Sequence, residues 1–304
     1  MKNYGLDIER EQSEIRAEDY VHGQEHAVLG SSLPECITNI PESQRWWSLP
    51  IGEVQNGIED MMDCATRGPH NIIETKLNWL YKEGKIKGKN IKWLRDNGYF
   101  NGEKIEISDA FIAILSKTTR TGNSLKSPLD ALHEYGFIPK SKLPLLKSMT
   151  FDQYHNPNRI TAQLKALGAE SKRRFPIGYI RVFAQDYDEI LTKDLLNVAG
   201  YAWSAPVNGE YPRSGNQANH CFIIFKHPKY FAFDNYIDPV DGDYVKKLRP
   251  DYAFLNYGYR VIITAQNVPE ETDIEDDGEG VETPQWIQAV LNLVRNLTNV
   301  WKPA

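Results

Sequence analysis

Hydrophobic positions in the first half of the chain recur at helical spacing. In residues 69–83, apolar side chains lie three or four positions apart, which predicts an amphipathic helix. Gly68 and Pro69 come first, and Pro at the first helical position loses no hydrogen bond. We therefore expect the helix to begin near Pro69. Its apolar positions are Ile72, Ile73, Leu77, Leu80 and Tyr81.

Two further helices are predicted from local signals. Over 127–135, Ser127 is a suitable cap, Pro128 lies in the first turn, and Gly136 ends the pattern. A third helix is predicted over 187–198.

The pattern changes after residue 175, where strands are predicted. Four short runs rich in β-branched and aromatic residues are bounded by Gly, Pro, Asn or Asp. They are IGYIRVFA (177–184), HCFIIF (220–225), YFAFDNYI (230–237) and YRVIITAQ (259–266). Helices followed by an antiparallel sheet predict an α+β fold, with residues 46–267 as the main domain.

Both ends of the chain differ from this domain. Residues 1–45 are polar and weakly patterned, which predicts an N-terminal arm. Residues 268–282 predict a solvated acidic linker, because eight of the thirteen residues 270–282 are Asp or Glu. Residues 283–304 predict an amphipathic helix with Thr283 as its cap. Its apolar stripe comprises Trp286, Ile287, Val290, Leu293, Val294, Leu297, Val300 and Trp301.

The stripe on the C-terminal helix needs a surface to cover it. We expect a protein partner or self-association through the Trp286–Trp301 stripe. A membrane is a weaker alternative, because the polar face carries only Arg295 and Lys302 and offers little positive charge to anionic lipid.

Composition narrows the class of protein. The 304 residues carry a formal net charge of −6, which argues against nucleic-acid binding. Three cysteines, Cys36, Cys64 and Cys221, are too few for a disulfide framework and fit a reducing compartment. Because the N-terminus has no apolar leader and no stretch approaches roughly 18 apolar residues, we expect a soluble cytoplasmic protein.

Metal and cofactor signals are weak. His22 and His26 have i,i+4 spacing, but the residues between them lack the zinc-protease pattern. The chain also has no phosphate-binding glycine loop. We expect neither a metal nor a cofactor.

A histidine and an acid–amide pair indicate a thiol-nucleophile site. His220 opens one apolar run, and Asp234-Asn235 lies in the next. Such a site needs a cysteine at a helix N-terminus, an imidazole, and a third group that orients the ring. Cys36 has no helix after it, and Cys221 should face away from His220 in a strand. Cys64 shortly precedes a helix and is the best candidate.

These residues resemble the papain-like cysteine peptidases. VQNGIEDMMDCAT (54–66) is similar to that family's Gln–Gly–Cys segment, and GNSLKSPLDALHEYGFIPKSKLPL (122–145) to its glycine turn and short helix. The His and Asn motifs match NHCFIIF (219–225) and YFAFDNY (230–236). The resemblance covers about residues 50–265. It implies a papain-like α+β fold, in which a helix with Cys at its N-terminus packs on an antiparallel sheet.

The resemblance also implies a mechanism and a setting. Cys64 would attack a polypeptide substrate, and His220 would hold the thiolate and protonate the leaving amine. Asn235 would orient the imidazole, and Gln55 would stabilise the oxyanion with the Cys64 N–H. Asp234 stays an alternative to Asn235, since neighbouring strand residues face opposite ways. DCATRG (63–68) and FDNYIDP (233–239) look most like tailed-bacteriophage versions, which implies host cytoplasm or a virion.

The sequence departs from the family at four places. Gln55 lies nine residues before Cys64, farther than in the family, so the loop between them must bulge. Asp63 replaces a small residue and would oppose thiolate formation unless it points away. The predicted helix start near Pro69 lies late for support of the sulfur, and Tyr236 follows Asn235 in place of Trp.

These departures leave two alternatives to a peptidase open. One is a papain-like fold with reduced or lost activity that acts as a structural or adaptor subunit of a virus particle. The other is a different acyl transfer by the same residues.

Overall fold

The computed structural model of the protein describes residues 4–16, 19, 21, 22, 40–86, 88–227, 229–238 and 242–263. All of them lie in the first of the two units of the chain, Met1–Val268, and the second unit is Pro269–Ala304. The predicted linker, the predicted C-terminal helix, Cys36 and His26 lie outside the described residues.

Helices dominate the first half of the described chain and strands the second. The helices are α1 (Ile8–Glu14), α2 (Glu42–Ser48), α3 (Cys64–Lys82), α4 (Lys89–Asp96), α5 (Asp109–Leu115), α6 (Lys126–Tyr135), α7 (Phe151–Tyr154), α8 (Ala162–Arg174) and α9 (Tyr187–Leu191). The strands are β1 (Phe100–Asn101), β2 (Lys104–Ile105), β3 (Ile177–Phe183), β4 (Leu196–Gly200), β5 (His220–His227), β6 (Lys229–Phe233), β7 (Val245–Lys247) and β8 (Phe254–Ile263). The predicted α+β class is confirmed.

Helix α3 begins earlier than predicted. It starts at Cys64, because the Asp63 carbonyl accepts the N–H groups of Thr66 (2.8 Å) and Arg67 (3.0 Å). The predicted start near Pro69 was wrong: Pro69 lies inside the helix. Its ring keeps φ near the helical value, so the helix continues with the loss of one backbone hydrogen bond.

The other two helix predictions had different outcomes. The helix at 127–135 is confirmed as α6, which ends at Gly136 with φ +69°. Its N-terminus is not capped by Ser127, whose own N–H bonds to Ser124 Oγ at 2.9 Å. The prediction of a helix over 187–198 was wrong beyond the five residues of α9. The apolar run after α9 forms the fully buried strand β4, and periodicity alone does not separate a buried strand from a helix.

One six-stranded antiparallel sheet positions the site. Its strand order is β3-β8-β4-β5-β6-β7. Side chains of β5 alternate between two cores, as a pleated strand requires. Cys221, Ile223 and Phe225 share the core that contains α3, whereas Phe222 and Ile224 belong to a core on the other face. The sheet therefore brings the start of β5 to the start of α3.

The structure also bears on membrane association. None of the helices in the described part of the chain combines the length and apolar character that a membrane-spanning segment needs.

Candidate active site

Cys64 is the first residue of α3 and is completely buried. A helix N-terminus carries a partial positive charge that favours a thiolate. Burial nevertheless raises the pKa of the Cys64 thiol well above its ordinary value. The neighbouring Cys221 thiol raises this pKa further, and His220 opposes the rise. Burial thus favours the protonated form of the Cys64 thiol, and His220 favours the thiolate.

His220 lies at the start of β5 and pairs with Asp234. Its Nε2 is 2.5 Å from Asp234 Oδ1, and both side chains are completely buried. The other ring nitrogen, Nδ1, makes no further hydrogen bond in the described part of the chain, so it is left for the Cys64 thiol. Burial lowers the pKa of His220, but Asp234 and Cys64 outweigh it and raise the pKa to about 10. The ring is thus held as an imidazolium.

Two further groups hold the Asp234 carboxylate. Trp203 Nε1 donates to its Oδ2 at 2.7 Å, and Lys246 Nζ lies 3.1 Å from the same oxygen. Burial would raise the pKa of Asp234, but His220 and Lys246 hold it below its ordinary value. The carboxylate stays ionised against the imidazolium.

Asn235 does not reach the imidazole. Its Oδ1 accepts from Asn71 Nδ2 at 2.9 Å, and its Nδ2 donates to the Glu53 carbonyl at 3.0 Å. Strand β6 ends at Phe233, so Asp234-Asn235 lies in the turn beyond it. The expectation that Asn235 orients His220 is therefore corrected, and Asp234 occupies that position.

Gln55 lies beside the Asp234-Asn235 segment. Its backbone N–H donates to the Asn235 carbonyl at 3.2 Å, and its side chain is completely buried. The loop from Gln55 to Cys64 bulges as expected: Asn56 pairs with Asp60, and the Met61 N–H returns to the Gln55 carbonyl at 3.1 Å.

Asp63 points away from the Cys64 sulfur into a buried ion network. Its Oδ1 accepts from Arg67 Nε at 2.8 Å, and its Oδ2 accepts from Tyr154 OH at 2.7 Å. Arg67 also lies 3.0 Å from Asp109 Oδ2. Burial raises the pKa of Asp63 although Arg67 opposes this rise. The Asp63 carboxylate is thus bonded to Arg67 and Tyr154 and is directed away from the sulfur.

The N-terminal segment 4–7 lies on the site. The Tyr4 N–H donates to the Asn219 carbonyl at 3.0 Å, and the Tyr4 carbonyl accepts from Gln55 Nε2 at 3.2 Å. The Tyr4 ring packs on His220 with centroids 5.3 Å apart. Leu6 pairs with Asn123 in parallel orientation. In this conformation the segment covers His220 and Gln55.

Helix α1 anchors this segment to the domain. Arg10 Nη2 donates to the Ser116 carbonyl at 2.9 Å and to Ser127 Oγ at 2.7 Å. Glu11 is buried and accepts from the Lys126 N–H at 3.1 Å.

Sequence reasoning missed several residues of this site. Trp203 and Lys246 contact Asp234 only because the sheet folds them together, and nothing local marks them. Tyr4 lies in a weakly patterned arm, next to Gly5, whose φ is +107°. Asp60 lies in the loop between Gln55 and Cys64. The extra length of this loop was the signal that it carries a residue with a role, and Asp60 accepts from Gln55 Nε2.

The described part of the chain contains no group of three or more His, Cys, Asp or Glu side chains arranged to hold a metal ion.

The similarity of this chain to known proteins is seen when structures are compared. No protein-family model and no curated protein matches this chain. Xylellain, a cysteine protease from Xylella fastidiosa, aligns with a TM-score of 0.51 and 13% identity, over 87% of this chain and 96% of xylellain. ProCathepsin B S9 from Trypanosoma congolense aligns at 0.49 and 9%, covering 87% of each chain. Procathepsin L 3 of Tenebrio molitor larval midgut aligns at 0.46 and 11%, over 86% of this chain and 76% of its own.

At this identity, the similarity to xylellain shows the fold and no more. The chain has the α+β fold of the papain-like cysteine proteases.

Proposed function

We propose that this protein is a papain-like cysteine peptidase with Cys64 as nucleophile, His220 as acid–base, Asp234 as the orienting acid and Gln55 as an oxyanion donor. The observation that carries the proposal is the buried His220–Asp234 pair beside a cysteine at a helix N-terminus. Polypeptide substrates follow from the fold's similarity to cysteine proteases.

The residues would act in a definite order. When the site opens, hydration lowers the pKa of Cys64, and the imidazolium of His220 stabilises the thiolate. The sulfur then attacks the scissile carbonyl carbon, and the oxygen that becomes negative accepts hydrogen bonds from Gln55 Nε2 and the Cys64 N–H. His220 gives its proton to the leaving amine, and water, deprotonated by His220, hydrolyses the thioester.

Alkylation of the two buried cysteines tests the proposal. Cys221 is a control within the same chain, because it is as inaccessible as Cys64 but does not lie at a helix N-terminus. With iodoacetamide near pH 6, we expect Cys64 to react faster than Cys221, as mapped by mass spectrometry, and His220→Ala to abolish the difference. Equal rates in the wild-type chain would refute the proposal.

A structural or adaptor role is the second candidate, including a role in a bacteriophage particle. It is favoured by the coverage of His220 by Tyr4 and by the raised pKa of Cys64, both of which disfavour reaction. The same alkylation experiment decides between the two, because an adaptor does not need Cys64 to react faster than Cys221.

A further inference from the structure

The loop between Gln55 and Cys64 returns an acidic residue to Gln55. Asn56 pairs with Asp60, and the Gly57 N–H bonds to the Glu59 carbonyl at 3.0 Å, which closes a tight turn. Asp60 Oδ1 accepts from the Met62 N–H at 2.9 Å, so the start of the next segment fixes the carboxylate. The extra residues in this loop thus place Asp60 against Gln55.

Asp60 and Tyr236 hold the Gln55 carboxamide. Gln55 Nε2 donates to Asp60 Oδ1 at 2.8 Å and to Tyr236 OH at 2.6 Å. The Tyr236 hydroxyl donates to the other oxygen of Asp60, which closes a three-residue cycle. The cycle fixes both the position and the rotation of the amide group.

The surrounding acceptors determine which amide atom faces the site. A carboxylate oxygen of Asp60 and the Tyr4 carbonyl both require a donor, and only Nε2 can supply one. Gln55 Oε1 points away and has no hydrogen-bond partner within the described part of the chain. The amide therefore has one stable orientation.

The Tyr4 carbonyl marks where an oxygen can accept from this amide. It lies 3.2 Å from Nε2, while the Tyr4 N–H bonds to the carbonyl of Asn219, the residue before His220. An amide nitrogen carries two hydrogens. Asp60 takes one, and the other is shared between the Tyr236 hydroxyl at 2.6 Å and an oxygen at the position of the Tyr4 carbonyl at 3.2 Å.

We infer that Asp60 and Tyr236 are positioning residues that hold the Gln55 carboxamide with one N–H directed at the oxygen of the scissile carbonyl. The inference rests on the proposed function. Misplacement of a catalytic donor by about 1 Å can cost on the order of a hundredfold in rate. A donor on a longer loop needs such fixed partners if it is to act without reorganising.

Two probes separate this role from general support of the site. Acetyl-leucyl-leucyl-argininal forms a hemithioacetal: a bond forms between the Cys64 sulfur and the aldehyde carbon, the thiol proton moves to the former carbonyl oxygen, and nothing leaves. That oxygen lies where the oxyanion would be. Iodoacetamide alkylates the same sulfur by displacing iodide and develops no oxyanion. Positioning of Gln55 therefore affects the aldehyde and not the alkylation.

The variants are made in the full chain. Asp60→Ala removes both acceptor oxygens, Asp60→Asn restores an acceptor for Gln55, and Tyr236→Phe removes only the hydroxyl while keeping the ring that packs on His220 at 5.2 Å. Glu59→Ala is the matched control, because its carboxylate lies in the same turn but pairs with Arg120 on the surface.

We expect Asp60→Ala to weaken aldehyde binding by about tenfold to a hundredfold, with a smaller loss in Tyr236→Phe and partial recovery in Asp60→Asn. Iodoacetamide labelling of Cys64 should not fall in any of them, and Glu59→Ala should match the wild type for both probes.

Three results would overturn the inference. Unchanged aldehyde affinity in Asp60→Ala, with normal labelling, shows that the cycle does not position the donor. A parallel fall with both probes shows a structural role only. Aldehyde binding by the wild type no tighter than by Cys64→Ala removes the proposed function, and the inference with it.

Discussion

Substitution of Gly5 by Val should expose the candidate site without touching its residues. Gly5 has φ +107°, and a Cβ at this position would lie 2.6 Å from the carbonyl carbon and oxygen of Met62. Both atoms belong to the backbone, so the overlap is not relieved by rotating a side chain. Valine is also β-branched and is disfavoured at positive φ. The segment 4–7 must therefore leave its place in Gly5→Val.

The free energy that favours the closed position of segment 4–7 can be estimated from the contacts that hold the segment. Its backbone makes four hydrogen bonds to Asn219, Gln55 and Asn123, each contributing about 1 kcal/mol net. Burial of Leu6 adds about 1.5–3 kcal/mol. Ordering the backbone costs about 1–2 kcal/mol per residue, so the closed state is favoured by only a small margin.

Valine shifts this balance towards the open state. A left-handed backbone alone costs about 1–2 kcal/mol, and the overlap with Met62 adds to it. A change of about 2 kcal/mol corresponds to a shift of about thirtyfold in the open–closed equilibrium. Opening also hydrates Cys64 and so removes the main cause of its raised pKa.

The assay is the rate of Cys64 alkylation by iodoacetamide, followed by mass spectrometry. We expect Gly5→Val to raise this rate by about thirtyfold and to shift its pH dependence to lower pH, because the thiol pKa falls. Gly102→Val is the matched control: Gly102 has φ +61°, but no atom lies within 4 Å of its Cβ position. It places valine at a positive φ without any steric overlap and should leave the Cys64 rate unchanged.

Equal Cys64 rates in Gly5→Val and the wild type, with both chains folded, would refute this reasoning. The segment would then not limit access to the thiol.

Two further substitutions test the buried ion pairs made by Asp234 and Asp194. Against the effect of burial, Asp234 and Cys64 together raise the pKa of His220 from its ordinary 6.5 to about 10, so the stability that the His220 imidazolium contributes is full below about pH 6.5 and is lost as pH rises through 10. Asp234→Asn should therefore reduce the free energy of unfolding more at pH 6 than at pH 9 in urea titrations, and the reverse order would contradict the assignment. Asp194 accepts from Lys76 Nζ (2.8 Å) and Arg260 Nε (2.7 Å) in the core. Asp194→Ala removes the buried carboxylate that both cations share and should cost about 3–5 kcal/mol at neutral pH; a loss below about 1 kcal/mol would show that this carboxylate does not hold the two cations in the core.

Several parts of the fold and site could be predicted from local sequence. Strands β3, β5, β6 and β8 follow from β-branched and aromatic runs, and α6 from its Pro and Gly boundaries. Cys64 and His220 were predicted because thiol catalysis needs particular residue types, and Gln55 was predicted from the resemblance to papain-like peptidases. The structure places Cys64 beside His220, and Gln55 beside Asn235 and Tyr4.

Other parts had no local signal. The start of α3 depended on whether the helix begins at Pro69 or continues through it. The helix is buried from Cys64 through Leu80, and this burial favours a helix that continues through Pro69. Strand β4 is buried on both faces because it is central in the sheet, so its run had no alternation to identify it.

The sequence by itself determined the class of fold and the residue types of the candidate site, since periodicity and turn residues act over a few neighbouring positions. Only the tertiary structure decided that Asp234 rather than Asn235 meets His220, that Asp60 and Tyr236 hold Gln55, and that Tyr4 covers the ring. Each of these contacts depends on the angle at which a chain leaves an element and on which distant element packs there. Packing of the whole domain sets those quantities, and no local pattern encodes them.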